Sequence, residues 1–157
     1  MLFSTKAEYG VRLMVELGRQ PGSQPVSLGS VAEAENLPLS YLEHLVAKLR
    51  KAELVTSTRG AHGGYRLAKP AAEIRMDDVV QALEGQIAPM ECFHDAPEGK
   101  VLCSHESDGD NACSTKLLWM RVQGGVTKAL AGTTLAELVE FSDHSAPKRA
   151  AVIGSAA

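Results

Sequence analysis

Apolar residues recur at helical spacing near the start of the chain, at Ala7, Val11, Met14 and Leu17 or Gly18, and predict a first helix from about Thr5 to Gly18 with that stripe buried. Ser4 or Thr5 stands at its N-cap, and Glu8 follows at a capping-box spacing, about one turn inside, where complementing the cap and the helix dipole would account for it. The run Arg19 to Pro25, with two prolines and a glycine, is a turn. A short second helix, roughly Leu28 to Glu35 behind a Ser27 cap, ends at Asn36-Leu37-Pro38, because the residue before a proline resists helical backbone.

A third helix starting at Ser40 has two distinct faces. Leu42, Leu45, Val46 and Leu49 form its apolar stripe, while Ser40, His44, Ala47, Lys48 and Lys51 share another face that is small, polar and basic, with Tyr41 beside it. Such a face can enter a major groove, with hydroxyl and imidazole toward base edges and lysines toward phosphates. Leu54 to Thr58 then reads as a strand and Tyr65-Arg66-Leu67 as its partner, around a glycine-rich tip that holds Arg59, Gly60, His62 and Gly63. The pattern predicts a mostly α fold with a small β-hairpin wing: a winged helix-turn-helix in which the third helix reads the major groove and the wing places Arg59 on phosphate or in a narrow minor groove.

Beyond Pro70 the pattern continues with a helix from Met76 to Glu84, capped near Arg75 to Asp77, turning Val79, Val80 and Leu83 inward and stopping at Gly85. A long helix from about Ser114 to Leu130 carries Trp119, Val122, Val126 and Leu130 on one side, with Gly124-Gly125 as a point for a kink or a close helix contact. A stripe of that length cannot be buried on the small winged domain with the DNA face left free, so a symmetric homodimer is expected. Thr133 or Thr134 caps a last helix through Phe141. The organisation expected is a DNA-binding domain over residues 1–70, a cysteine-bearing loop with dimerisation helices over 71–141, and an Ala/Ser-rich disordered tail over 142–157.

Charge sharpens this division. The formal net charge of -3 looks wrong for a nucleic-acid binder until it is divided by position. Residues 1–70 hold nine Lys/Arg against six Asp/Glu, and residues 71–157 hold seven against thirteen. Between His44 and Lys69, the cations Lys48, Arg50, Lys51, Arg59, Arg66 and Lys69 are opposed only by Glu53, which suggests a local polyanion-binding face on an acidic protein. Lys6 and Glu8 interrupt the apolar run that a signal peptide needs, and no later window approaches a membrane span, so a cytoplasmic protein with no membrane partner is expected. No nucleophile with a nearby base and no phosphate-cradling loop stands out, and the chain is not expected to be an enzyme.

All three cysteines, Cys92, Cys103 and Cys113, lie between Glu91 and Trp119, with ten and nine residues between successive sulfurs. An odd number of thiols in a reducing compartment points to metal or redox chemistry before disulfides. His94 and His105 would add imidazoles for zinc, but structural zinc pairs its ligands two to four residues apart, unlike these sulfurs. A reversible thiol switch is open, and three soft thiolates also permit an iron-sulfur cluster. Calcium is disfavoured, because Asp108-Gly-Asp110-Asn111 lacks the alternation and terminal Glu of an EF-hand loop.

The opening STKAEYGVRLM, the run LSYLEHLVAKLRKAELVTSTRG, the wing GAHGGYRLAKP, the three cysteines and the closing TLAELVEF together resemble the winged-helix iron-sulfur regulators that include IscR, NsrR and RirA. The resemblance covers about Met1 to Phe141. It implies a homodimeric DNA-binding transcriptional regulator whose long helices cross, which binds a pseudo-palindromic operator in double-stranded DNA. It also implies a two-iron or four-iron cluster near the dimer interface, held by Cys92, Cys103 and Cys113. Lys116 stands where isc-type regulators place a ligating histidine, so the fourth ligand comes from elsewhere. In the nitric-oxide-sensing branch a carboxylate on the first helix of the other subunit completes the site, and Glu8 stands at the matching position, ahead of His94 and His105. Two alternatives remain: a cluster-free thiol- or metabolite-responsive regulator of the same fold, and a zinc-binding protein-interaction module.

Overall fold

The computed structural model describes residues 3–21, 24–88 and 115–145. Helix α1 spans Thr5–Gly18, α2 Leu28–Glu35 and α3 Leu39–Lys51; strands β1 (Val55–Thr58) and β2 (Gly64–Leu67) form an antiparallel hairpin; α4 spans Met76–Glu84, α5 Lys116–Ala131 and α6 Leu135–Ser145. The mostly α winged architecture read from the sequence is the one observed. Helix α3 begins one residue earlier than expected, at Leu39, because the Pro38 carbonyl already accepts bonds from the Tyr41 and Leu42 amides. Helix α6 runs past Phe141 to Ser145.

Helix α1 is the hub and packs against α2, α3, α4, α6 and β2. Ala7, Leu13, Met14 and Leu17 are buried on it, whereas Val11 is only half-buried. Two glycines set how closely its neighbours approach. A Cβ at Gly10 would stand 2.2 Å from Leu83 Cδ1, and one at Gly18 would stand 2.8 Å from Val139 Cγ2, so α4 and α6 lie directly against glycine faces. The core gathers Leu13, Met14, Leu42, Leu45, Leu49, Ile74, Val79, Leu83 and Leu135 into one cluster, which crosses residue 70 without a break.

Helix α6 is stitched back onto this core. Thr134 and Glu137 make a reciprocal capping box, with the Thr134 amide donating to Glu137 Oε2 at 2.6 Å and the Glu137 amide to Thr134 Oγ1 at 3.3 Å. The Leu135 amide bonds the Ile74 carbonyl at 2.8 Å, and the Met76 amide bonds the Thr133 carbonyl at 3.0 Å. Arg19 closes the far end, reaching Glu16 at 2.7 Å and Asp143 at 3.1 Å; these bonds hold its guanidinium above the ordinary pKa. Helix α5 packs along α4 and passes through Gly124-Gly125 as one continuous helix, where a Cβ at either glycine would meet nothing within 4 Å.

Candidate nucleic-acid interface and sensor end

The turn between α2 and α3 depends on Asn36, which adopts left-handed backbone (φ 53°, ψ 49°) and directs its amide to the Ala32 and Glu33 carbonyls. Asparagine tolerates this conformation better than most residues, and the Leu37 amide completes the turn on Ala32 O at 3.0 Å. This short link sets α3 across α2. Leu42, Leu45, Val46 and Leu49 are buried, and Ser40, His44, Ala47 and Lys51 are exposed on the opposite face. Tyr41 differs from them. It is half-buried, with its ring edge-on to Tyr9 of α1 at a centroid distance of 5.7 Å.

The wing is fixed by glycine as well as by pairing. Its register sets Val55 opposite Leu67 and Thr58 opposite Gly64. Val26 and Tyr65 exchange two backbone bonds of 2.8 Å, so the segment before α2 joins the sheet at one point. Gly64 (φ 157°) passes so near this crossing that a Cβ there would lie 2.4 Å from the Val26 oxygen. At the tip, Gly60 has φ 118° and its carbonyl accepts the Gly63 amide at 2.9 Å, leaving Arg59 and His62 exposed. Arg50 Nη1 bridges α3 to Ser57 of β1 at 3.5 Å, and Arg66 lies against Thr56 across the hairpin. Lys48, Arg50 and Lys51 of α3 and Arg59 and Arg66 of the hairpin are exposed, and Arg59 makes no ion pair among the described residues.

Lys48 is placed differently from the other basic residues. Its Nζ donates to the Leu83 carbonyl at 2.9 Å, on the last turn of α4. That turn also carries Glu84, whose Oε1 accepts from the Ser4 amide (2.9 Å), the Ser4 hydroxyl (2.5 Å) and the Ala7 amide (3.3 Å), while Lys6 Nζ approaches Oε2 at 3.5 Å. Burial pushes the Glu84 carboxyl up, but the Ser4 hydroxyl, the Ser4 and Ala7 amides and the Lys6 charge outweigh it and hold the pKa below its ordinary value. Helix α1 is thus capped by a carboxylate eighty residues away in sequence. Glu8 is not the capping acid; its side chain is 59% exposed and pairs with Arg12 at 2.9 Å, one turn along.

Cys92, Cys103, Cys113, His94 and His105 lie outside the described residues. No group of three or more His, Cys, Asp or Glu side chains that could hold a metal ion occurs among the described residues. Both flanks of the cysteine segment are described, and they meet: Gln123 of α5 donates to the Ile87 carbonyl at 3.1 Å. Helix α5 also exposes Leu117, Leu118 and Met120, each more than half accessible, while Trp119, Val122, Val126 and Leu130 are half-buried. No helix among the described residues is long and apolar enough to cross a membrane.

Comparison with known proteins agrees with this geometry. The Rrf2 family, described as iron-dependent transcriptional regulators, matches residues 3–141. The transcriptional regulator CymR of Bacillus subtilis is 38% identical over 143 residues, spanning 91% of this chain and 93% of CymR. Its solved structure, described as that of the global cysteine regulator, superposes with a TM-score of 0.70 over 90% of this chain and 98% of that one. An oxidized form of Staphylococcus aureus CymR is 39% identical, with a TM-score of 0.67 over 89% of this chain and 97% of that one. IscR of T. potens is 35% identical with a TM-score of 0.70, over 92% and 90% of the two chains. The helix-turn-helix, the basic wing and these matches along nearly the whole chain agree: it belongs to the Rrf2 family of DNA-binding transcriptional regulators and is not an enzyme.

Proposed function

We propose that the protein is a homodimeric regulator that reads a pseudo-palindromic operator in double-stranded DNA and senses iron-sulfur, redox, iron or nitric oxide status through a cluster held by Cys92, Cys103, Cys113 and Glu8 of the partner subunit. The observation that carries the ligand assignment is the division of labour at the α1 N-terminus. Glu84 serves the cap, so the Glu8 carboxylate is left exposed with an exposed arginine as its neighbour. Three thiolates and one such carboxylate form a donor set suited to iron. When bound, the cluster supplies a link that iron loss, oxidation or nitric oxide can break. The chain's own part is mechanical: Glu8 lies next to Tyr9, whose ring abuts Tyr41 of α3, so a pull on the first turn of α1 bears on the reading helix.

Leu117, Leu118 and Met120 support pairing of two copies through α5, since each buried large apolar side chain contributes roughly 1.5–3 kcal/mol and two-fold symmetry uses every one twice. On each half-site, Ser40, His44 and Lys51 face base edges and phosphates, and Arg59, Gly60, His62 and Gly63 present the wing. Arg59→Ala is expected to weaken binding at every sequence alike and to reduce the slope of log affinity against log salt by about 0.9 per half-site, the signature of one lost phosphate contact. Titration of one operator across a salt series measures this, and an unchanged slope removes Arg59 from the interface.

Iron and sulfide analysis with absorption spectra under anaerobic conditions tests the sensor. Cys103→Ala is expected to lose iron and sulfide, and Glu8→Ala to hold them far less tightly. Operator affinity should differ about 5- to 150-fold between loaded and stripped dimers, the usual range for coupled sites. Equal affinity for every operator tested would sink the reading. The similarity to CymR favours one further reading, a cluster-free regulator responding to thiol oxidation or cysteine metabolism. Under it the same preparation contains no iron or sulfide, yet its DNA affinity changes with a thiol oxidant.

A further inference from the structure

The last turn of α4 is joined to α3, which carries the proposed reading face, and to α1. Leu83 offers its carbonyl to Lys48 of α3 at 2.9 Å. Its side chain fills the space opposite Gly10 of α1. Glu84 caps the N-terminus of α1, and the Ile87 carbonyl is held by Gln123 of α5. Residues 83–87 are therefore tied to α3, α1 and α5 just before the segment that carries the cysteines.

The Lys48 bond has a physical reason to persist. The last carbonyls of a helix have no intrahelical partner and sit at the negative end of its dipole, where a lysine is well matched. The Gly85 amide takes the Gln81 carbonyl, and Lys48 takes that of Leu83. Lys48 is exposed like Lys51 on the same basic face, but its ammonium is engaged by the Leu83 carbonyl.

We propose that Lys48 is a positioning residue: it fixes α3 against the last turn of α4 and carries changes arising in the cysteine segment to the reading helix, rather than contacting DNA. This rests on the sensing reading above only in taking the cysteines as the source of the signal. A lysine on a reading helix ordinarily adds to the salt dependence of binding; one spent on a carbonyl does not.

The test is operator affinity over a salt series for full-length wild type and Lys48→Met, which keeps the aliphatic stem and removes the donor, with Lys48→Gln as a second variant if the first does not fold. Each is measured as purified anaerobically and after chelation and thiol oxidation. The expected result is an unchanged salt slope, together with a fall toward one of the affinity ratio between the two states, and recovery of that ratio in Lys48→Arg. A slope reduced by about 0.9 per half-site makes Lys48 a phosphate contact and overturns the proposal. A ratio as large in Lys48→Met as in wild type makes the bond merely structural and overturns it as well. A ratio of one in wild type overturns the sensing reading itself, and the coupling with it; persistence of the ratio in the variant overturns the coupling alone.

Discussion

Gly64→Ala is expected to lower the unfolding free energy by about 3–5 kcal/mol, combining about 1–3 kcal/mol of local backbone strain with the loss of two hydrogen bonds at about 1 kcal/mol each. The added methyl would stand 2.4 Å from the Val26 oxygen, 2.6 Å from its carbonyl carbon and 2.9 Å from its nitrogen. These are backbone atoms, so no side-chain rotation relieves the clash. The neighbouring Val26–Tyr65 bonds, both 2.8 Å, must lengthen or break, and the wing then loses its attachment to the segment before α2. DNA affinity should fall with stability because Arg59 is aimed by that wing. Gly29→Ala gives the opposite sign: its Cβ would meet only Ser27 Oγ at 3.7 Å, and replacing a helical glycine gains up to about 1 kcal/mol. Urea unfolding of both variants measures the pair, and a wild-type midpoint for Gly64→Ala would refute the close approach.

The contrast shows what the sequence could convey. Helices α1, α2 and α4 end where their patterns predict, because caps and breakers such as Ser4, Ser27, Asn36 and Gly85 act on nearby backbone. The stripe of α3 was equally plain, since Leu42, Leu45, Val46 and Leu49 repeat at helical spacing and all are buried. A glycine-rich tip between two strands was legible too, but the need for Gly64 was not. That need comes from Val26, a partner far away along the chain.

Long-range polar choices were the least legible part of the site. Lys48 and Lys51 look alike in sequence and both are exposed, yet the Lys48 ammonium is taken by the Leu83 carbonyl. Tyr41 follows Ser40 on the helix but turns its ring toward Tyr9. In each case the deciding partner belongs to another helix, and neither helical periodicity nor charge pattern carries its position. The cysteines are the reverse case: their grouping is evident from sequence, and their geometry lies outside the described residues.

Two acids lie near the first turn of α1, and their replacement is expected to separate them sharply. Glu8→Ala should change stability by no more than about 0.5 kcal/mol, because an exposed i,i+4 ion pair is worth little. Glu84→Ala should cost about 2–3 kcal/mol, since it removes charge-assisted bonds to Ser4 and Ala7 from a side chain only 16% exposed. Acidity supplies an independent check through Glu84→Gln. The carboxyl pKa is held below its ordinary 4.5 in the folded protein, so the unfolded chain binds the proton more readily. The stabilisation is complete above that ordinary value and is lost as pH falls through the lower folded one. Wild type should therefore melt above Glu84→Gln at neutral pH, and the gap should close in acid below about pH 4.5. A gap that stays constant to pH 3 would mean that the amide, and not the charge, sets the difference, and the cap would then owe nothing to ionisation.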